Sequence, residues 1–386
     1  MKEEVPPSFR TVGALAVAGM VKRRSFLRGL GAMGAAVPAS GLLATKANAA
    51  PSKPTKGDVA ILQFLLAVEL IETDLWQQYN ELGGVNGGNP AYIAALENLD
   101  GDMPQYIADN TDDEMSHSTF LKAYLESIGA TPVSLDNFRS LPSSHATGAR
   151  NVGRLTNLQA LNVDLSWYTR YRGEGNPDLG ATFNSPFNIN NQPAIPLNDS
   201  DTPPDTAIPD PAETPGSKFT GAAARMQAIA NTAGFHFAFI EQGGASLYTT
   251  MSLKATSLEV LRIIVSIGGA EVNHFAVWHD KAGNAVSQPL AGVVDPVSKL
   301  TFPDLNNSPF GGERFQTNLI MPEPCQLLRV DLPECSVIRP SSTALGGAVA
   351  TIKAFTDDLL FLHQSPAFLD LLMDLASAAD AAERLG

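Results

Sequence analysis

Apolar residues recur at steps of three and four along four long stretches: residues 58 to 82, about 104 to 129, about 219 to 251, and 256 to 281. A stripe with that period buries one face of an α-helix, so the pattern predicts four long helices. A shorter helical piece precedes the second, around Pro90 to Leu99. Two further apolar-periodic stretches close the chain, at about 343 to 363 and 366 to 384.

Between the helix pairs, residues 173 to 217 hold nine prolines, seven acidic residues and no Lys or Arg. Proline removes backbone donors and fixes φ, so this stretch reads as an irregular connection. Residues 285 to 342 are similarly rich in Pro, Gly and Asn. The organisation that follows is all-α: a four-helix bundle over 50–284 with a long crossover between its second and third helices, then an irregular segment and C-terminal helices over 285–386. About 100 residues with so little regular pattern in their first half are too few for a core of their own, so the C-terminal part is expected to pack on the bundle.

Charge intrudes into each apolar seam at mid-height. The seams are Ile61, Leu65, Val68, Glu72, Leu75 and Tyr79; Ile107, Glu114, His117, Leu121 and Ile128; Phe237, Glu241, Gly244 and Tyr248; and Ile264, Ile267, Glu271, His274 and Trp278. Two of them carry Glu-x-x-His, at Glu114/His117 and Glu271/His274, where roughly a quarter of one match is expected by chance. Residues i and i+3 share a helix face, so each motif aims a carboxylate and an imidazole at one point. Four carboxylates meeting in an apolar core either repel or take up protons, whereas two divalent cations balance them. Glu72, Glu114, His117, Glu241, Glu271 and His274 are therefore the candidate metal ligands.

Laying Phe64–Tyr79 over Ala233–Tyr248 aligns Glu72 with Glu241 and Tyr79 with Tyr248. The repeat favours Glu72 over its rival Glu69, which sits beside the heptad seam. Thr111-Asp112-Asp113-Glu114 also fits a capping box, in which Glu114 would only close a helix N-terminus. Tyr79 and Tyr248, each seven residues after a candidate ligand, suit hydrogen bonding to a ligand, electron donation or plain core packing. His236 and His279 lie about 140° around the helix from a ligand and suit supporting or surface roles. Gly243-Gly244 and Gly268-Gly269 cost helix stability and so suggest close helix approach or backbone room near the site.

One Glu from each of two helices, with Glu-x-x-His from each of two others, resembles the ferritin-like di-iron and di-manganese carboxylate superfamily. Phe235 to Gly244 and Pro309-Phe310-Gly311-Gly312-Glu313 are similar to exported and fungal stress-associated ferritin-like proteins related to plant desiccation-related proteins. The resemblance implies two metal ions, Fe or Mn, and redox chemistry on peroxide or O₂ of catalase or ferroxidase type. The competing expectation is a stress or desiccation protein in which the metals only staple the bundle.

Charge and composition narrow the partners. The net charge of -14 conceals a basic N-terminus: residues 1 to 49 carry seven Lys/Arg against Glu3 and Glu4, leaving 19 basic and 38 acidic residues beyond them. An acidic surface without a basic stripe argues against nucleic acid. With 44% hydrophobic residues and a mean hydropathy of -0.01, no integral membrane segment is expected. Self-association is left open.

Lys22-Arg23-Arg24-Ser25-Phe26-Leu27-Arg28, a mildly apolar Gly29–Leu43 and Ala47-Asn48-Ala49 resemble a twin-arginine signal peptide over 1–49. That implies the twin-arginine export machinery as a partner and a periplasmic or extracellular destination. Met20, just upstream of the basic segment, competes with Met1 as translation start. In an oxidising compartment Cys325 and Cys335 could pair as a disulfide, while in a reducing one they would be free thiols. N-terminal sequencing of the exported protein should begin at Ala50; an intact Met1 would refute the signal.

Overall fold

The computed structural model describes residues 53–168, 187–305 and 347–385, together with two short strands, Pro322–Glu323 and Cys335–Ser336, paired antiparallel. The expected signal segment 1–49 and Cys325 lie outside the described residues, as does the side chain of Cys335, so the expectations of a signal and of a disulfide fall outside them too.

Four long helices form the core: α1 (Lys56–Gly83), α3 (Met103–Ser127), α4 (Gly221–Ser252) and α5 (Leu258–Gly283), with the short α2 (Pro90–Glu97) between the first two. Local chemistry sets several starts. Thr55 and Asp58 form a reciprocal capping box at α1, Asn89 caps α2 with Pro90 in its first turn, and Ser257 caps α5.

Side-chain contacts fix the directions. On α1 and α3, Thr73 meets Ser118 and Trp76 meets Thr111, so the pair is antiparallel. On α1 and α4, Glu69 meets Tyr248, Trp76 meets Glu241 and Tyr79 meets His236, again in opposite order. Antiparallel to the same helix, α3 and α4 must be parallel to each other. Their connection, residues 128–220, therefore has to return along the length of the bundle.

The described part of that crossover is irregular with small ordered pieces. β1 (Leu161–Val163) pairs antiparallel with β2 (Ile189–Gln192), and short 3₁₀ turns follow at Asp199–Asp201, Asp205–Ala207 and Gly216–Lys218. Two buried carboxylates pin it down. Asp74 of α1 accepts from Arg139, from the Leu155 and Thr156 amides and from the Thr156 hydroxyl, at 2.6–3.0 Å. Asp201 accepts from Arg225 of α4, whose other arm reaches Asp295 at 2.6 Å, tying both irregular segments to one helix.

Two C-terminal helices complete the fold, α6 (Gly347–Asp357) and α7 (Pro366–Asp380). α7 packs on α1, and α6 on α7 and α4. α6 ends at Asp357, short of the expected 363, where Leu359 and His363 adopt positive φ and turn the chain. The cover from α7 leaves α1 buried almost all round, including Leu62, Phe64, Leu66 and Glu69 off the heptad seam.

One helical stretch, Leu258–Val286, is long and apolar enough by length and composition to cross a membrane, with a mean hydropathy of 1.3 over its best window. This departs from the expectation that no such run exists. Val, Ile, Leu and Ala raise its hydropathy, yet its inner face packs on α4 and carries Glu271 and His274 into the protein core.

Candidate metal centre

Five glutamates and two histidines converge where α1, α3, α4 and α5 meet. Glu69, Glu72, Glu114, Glu241 and Glu271 are each at most 1% exposed, His117 8% and His274 5%, so the cluster is nearly sealed from water. Glu114 is its hub. One carboxylate oxygen lies 3.2 Å from His117 Nδ1 and the other 3.1 Å from His274 Nδ1. His117 Nδ1 is also 3.4 Å from both Glu69 and Glu271, and His274 Nδ1 is 3.2 Å from Glu241.

Two sets of atoms lie close enough together to hold a metal ion: Glu69, Glu114, His117 and Glu271, and Glu114, Glu241, Glu271 and His274. Glu114 and Glu271 belong to both. The chemistry of the donors fits hard or borderline cations, and the orphaned atoms point the same way: neither oxygen of Glu72 or Glu271 accepts a hydrogen bond, nor does Glu69 Oε2.

Here the structure departs from the repeat alignment. Glu69, the residue ranked second, stands in the His117 group. Glu72 lies alongside, close enough to feel the charges of Glu271, Glu114, Glu69 and Glu241, but outside both groups. Two features explain the shift. With α7 covering α1, the heptad phase no longer separates an inward Glu72 from an outward Glu69. The two halves also differ where the repeat assumes they match: Tyr248 donates to Glu69 Oε1, while Ala238 occupies the position equivalent to Glu69.

The capping-box role for Glu114 does not arise, because Thr111 to Glu114 lie in the interior of α3, where Thr111 donates to Ile107 O and Trp76 O. Three supporting residues escaped the sequence reading. Asn110 donates to both Glu114 and Glu241 and accepts from Trp278 Nε1. Trp76 Nε1 donates to Glu241 at 3.0 Å, and the exposed Asp113 meets His274 Nε2 at 3.1 Å, steadying a ligand imidazole from behind. Helical spacing holds the missed signal: Asn110 is four residues before Glu114, and Trp76 four after Glu72. His236 and His279, weighed for supporting or surface roles, are both fully buried, which excludes the surface.

Burial pushes the Glu72 and Glu271 carboxyls well above the usual carboxylate range, Glu69 to about 8, and Glu241 upward as well. Glu114 behaves differently. Burial acts to raise it, but hydrogen bonds to His117 and His274 outweigh that and hold it at about 2. The two imidazoles oppose their own desolvation through the surrounding carboxylates and are pushed up.

The family model of the ferritin-like domain matches residues 57–284, which span α1 to α5 and every residue of the cluster. The chain belongs to the ferritin-like family. No curated protein and no solved structure matches it. The match leaves out α6 and α7, which supply the cover over α1.

Helical glycines make room in this ferritin-like core. A Cβ on Gly244 would stand 2.6 Å from Glu271 Oε2, and one on Gly268 2.7 Å from Tyr248 Cβ, whereas Gly243 and Gly269 face open space. Gly244→Ala should therefore displace the Glu271 carboxylate and lower metal content in both groups. Gly243→Ala should keep the metal and gain up to about 1 kcal/mol of stability from helix propensity; elemental analysis and thermal melts of the two variants provide the comparison.

A second outcome concerns pH. In the metal-free protein, Glu69, Glu72, Glu241 and Glu271 hold protons that the unfolded chain has released above about 4.5. Their raised values stabilise the fold at low pH, and that contribution is lost as pH rises through about 8. Two groups have the opposite sign: Glu114 acts only as pH falls from about 4.5 to about 2, and His236, held at about 3 by burial, opposes the four carboxyls only below about 6.5, one group against four. The melting temperature of the metal-free protein should fall between about pH 5 and pH 8. Bound metal should abolish that fall, with protons released on uptake.

Proposed function

We propose that the chain is an exported protein holding two Fe or Mn ions, and that it carries out redox chemistry on peroxide or O₂ in stress protection. The observation that carries this reading is the pair of ligand groups sharing Glu114 and Glu271 within a nearly dry core. A shared carboxylate pair would set two ions side by side. Glu69 with His117 would serve one, and Glu241 with His274 the other.

When bound, such a metal pair supplies two electrons to an O–O unit or takes them from it. The protein's own residues do the rest. Glu114, ionised in its surroundings, anchors both groups. Glu72 and Glu271, whose buried oxygens have no hydrogen-bond partners, can accept or release a proton as the charge of the centre changes. Tyr248 holds Glu69, while Trp76 and Asn110 hold Glu241 in orientation. Access for a small oxidant is narrow: His117, His274 and the exposed Asp113 mark where the cluster approaches solvent.

That narrowness favours a second reading, in which the metals tie four helices together without turnover. The two readings separate experimentally. Pure metal-loaded protein should consume peroxide or oxidise Fe²⁺, and Glu114→Ala or Glu271→Ala should lose at least 100-fold of that rate. Unchanged activity in those variants would sink the redox reading. A chelator-dependent fall in melting temperature without any peroxide or Fe²⁺ turnover would establish the staple.

A further inference from the structure

Behind the metal centre lies a buried phenol–imidazole pair that the cluster does not use. The Tyr79 hydroxyl is 2.7 Å from His236 Nδ1, and both residues are fully buried. His236 Nε2 has no hydrogen-bond partner among the described residues. That fixes the direction of the bond: with Tyr79 donating to Nδ1, one buried Nε2–H is left over, whereas the reverse would orphan both the phenol hydrogen and the Nε2 lone pair. Trp76 joins the pair to the centre. Its ring centroid lies 5.7 Å from that of Tyr79, and its Nε1–H donates to Glu241 at 3.0 Å.

We propose that Tyr79 is a redox tyrosine, with His236 as its dedicated proton acceptor and Trp76 as the relay to the metal centre. The step conserves protons and electrons. One electron leaves the Tyr79 phenol through Trp76 and reduces the oxidised centre by one equivalent. The phenol O–H bond breaks, an N–H bond forms at His236 Nδ1, and the neutral tyrosyl ring keeps the unpaired electron. The electron acceptor is the centre after oxidation by peroxide or O₂, so this coupling rests on the redox reading above.

Several features suit the pair to this work and set it apart from other tyrosines. Burial pushes the Tyr79 phenol well up, so its proton cannot leave to solvent and needs an internal base. Burial holds His236 at about 3, which keeps Nδ1 free to accept across the physiological range. An oxidised phenol is a far stronger acid than an imidazolium, so the transfer runs toward His236 once the electron has gone. Tyr92 donates instead to the Ala194 carbonyl, which cannot take a proton. The repeat has no copy of the device: Ala67 occupies the position equivalent to His236, and Tyr248 turns to Glu69. Aromatic contacts also lead outward, from Trp76 to Trp278 at 5.3 Å and on to the half-buried Tyr106 at 6.2 Å, giving an entry for an electron or a hole from the surface.

The test has a metal-free arm and a metal-loaded arm, both read by freeze-quench electron paramagnetic resonance on the full chain. In the metal-free protein, a flash-generated ruthenium(III) tris-bipyridine oxidant should yield a neutral tyrosyl radical, slower to form in D₂O. Ring-deuterated tyrosine should narrow the signal. In Tyr79→Phe, with an unchanged melt, the tyrosyl signal should give way to a tryptophan radical, and in His236→Phe it should fall at least tenfold. A tyrosyl signal unchanged in Tyr79→Phe, or none in wild type, overturns the proposal. In the Fe- or Mn-loaded protein, peroxide should give the same Tyr79 radical, and Trp76→Phe should slow its appearance at least tenfold. Peroxide consumed without that radical overturns the relay and leaves the redox reading standing. The radical in the metal-free protein, with neither peroxide consumed nor Fe²⁺ oxidised by the loaded one, overturns the redox reading and the coupling built on it, and leaves the phenol–imidazole pair standing.

Discussion

Five carboxylates and two imidazoles share a volume from which water is excluded, and the rest of the architecture answers the cost of placing them there. A buried carboxylate without a partner is expensive to ionise, and five together raise one another further. The protein compensates in part by itself: both histidines face Glu114, and Asn110, Trp76 and Tyr248 each direct a donor at a carboxylate of the cluster. What stays least compensated is Glu72, neither of whose oxygens accepts a hydrogen bond, and next Glu271, which has only His117 Nδ1 at 3.4 Å. Cations held by the two groups of donor atoms would supply the charge that these carboxylates lack.

Holding such a cluster together demands rigid supports, and the irregular parts of the chain supply them. The crossover is needed because α3 and α4 run parallel, and Asp74 and Arg225 anchor its described parts through buried hydrogen bonds to α1 and α4. The C-terminal helices add a second layer over α1. Glycines at 244 and 268 let α4 and α5 approach within reach of Glu271 and Tyr248, trading helix propensity for geometry at the one level where the ligands sit.

The two halves of the bundle are related but unequal. Each supplies a Glu-x-x-His and a tyrosine, yet the His117 side has Glu69 and Glu72 where the His274 side has Glu241 alone. The tyrosines diverge in parallel: Tyr248 binds the Glu69 carboxylate, while Tyr79 binds the His236 imidazole outside the cluster. An approximate repeat has thus been given two different jobs, by substitutions at positions 67/236 and 69/238.

Much of this was legible along the chain. Helical periodicity located all four bundle helices, and the i, i+3 spacing of Glu114/His117 and Glu271/His274 brought carboxylate and imidazole together, because those relations are local and every α-helix obeys them. Which glutamate of α1 reaches His117 was not legible. That choice depends on α7 covering the outer side of α1 and on Tyr248 arriving from α4, contacts between residues 179 positions apart in the second case. The same holds for Trp76 on Glu241 and for His236 beneath Tyr79. Sequence determined which faces would carry the chemistry; only the packing of one helix against another decided which side chain met which, since that depends on distances no local period encodes.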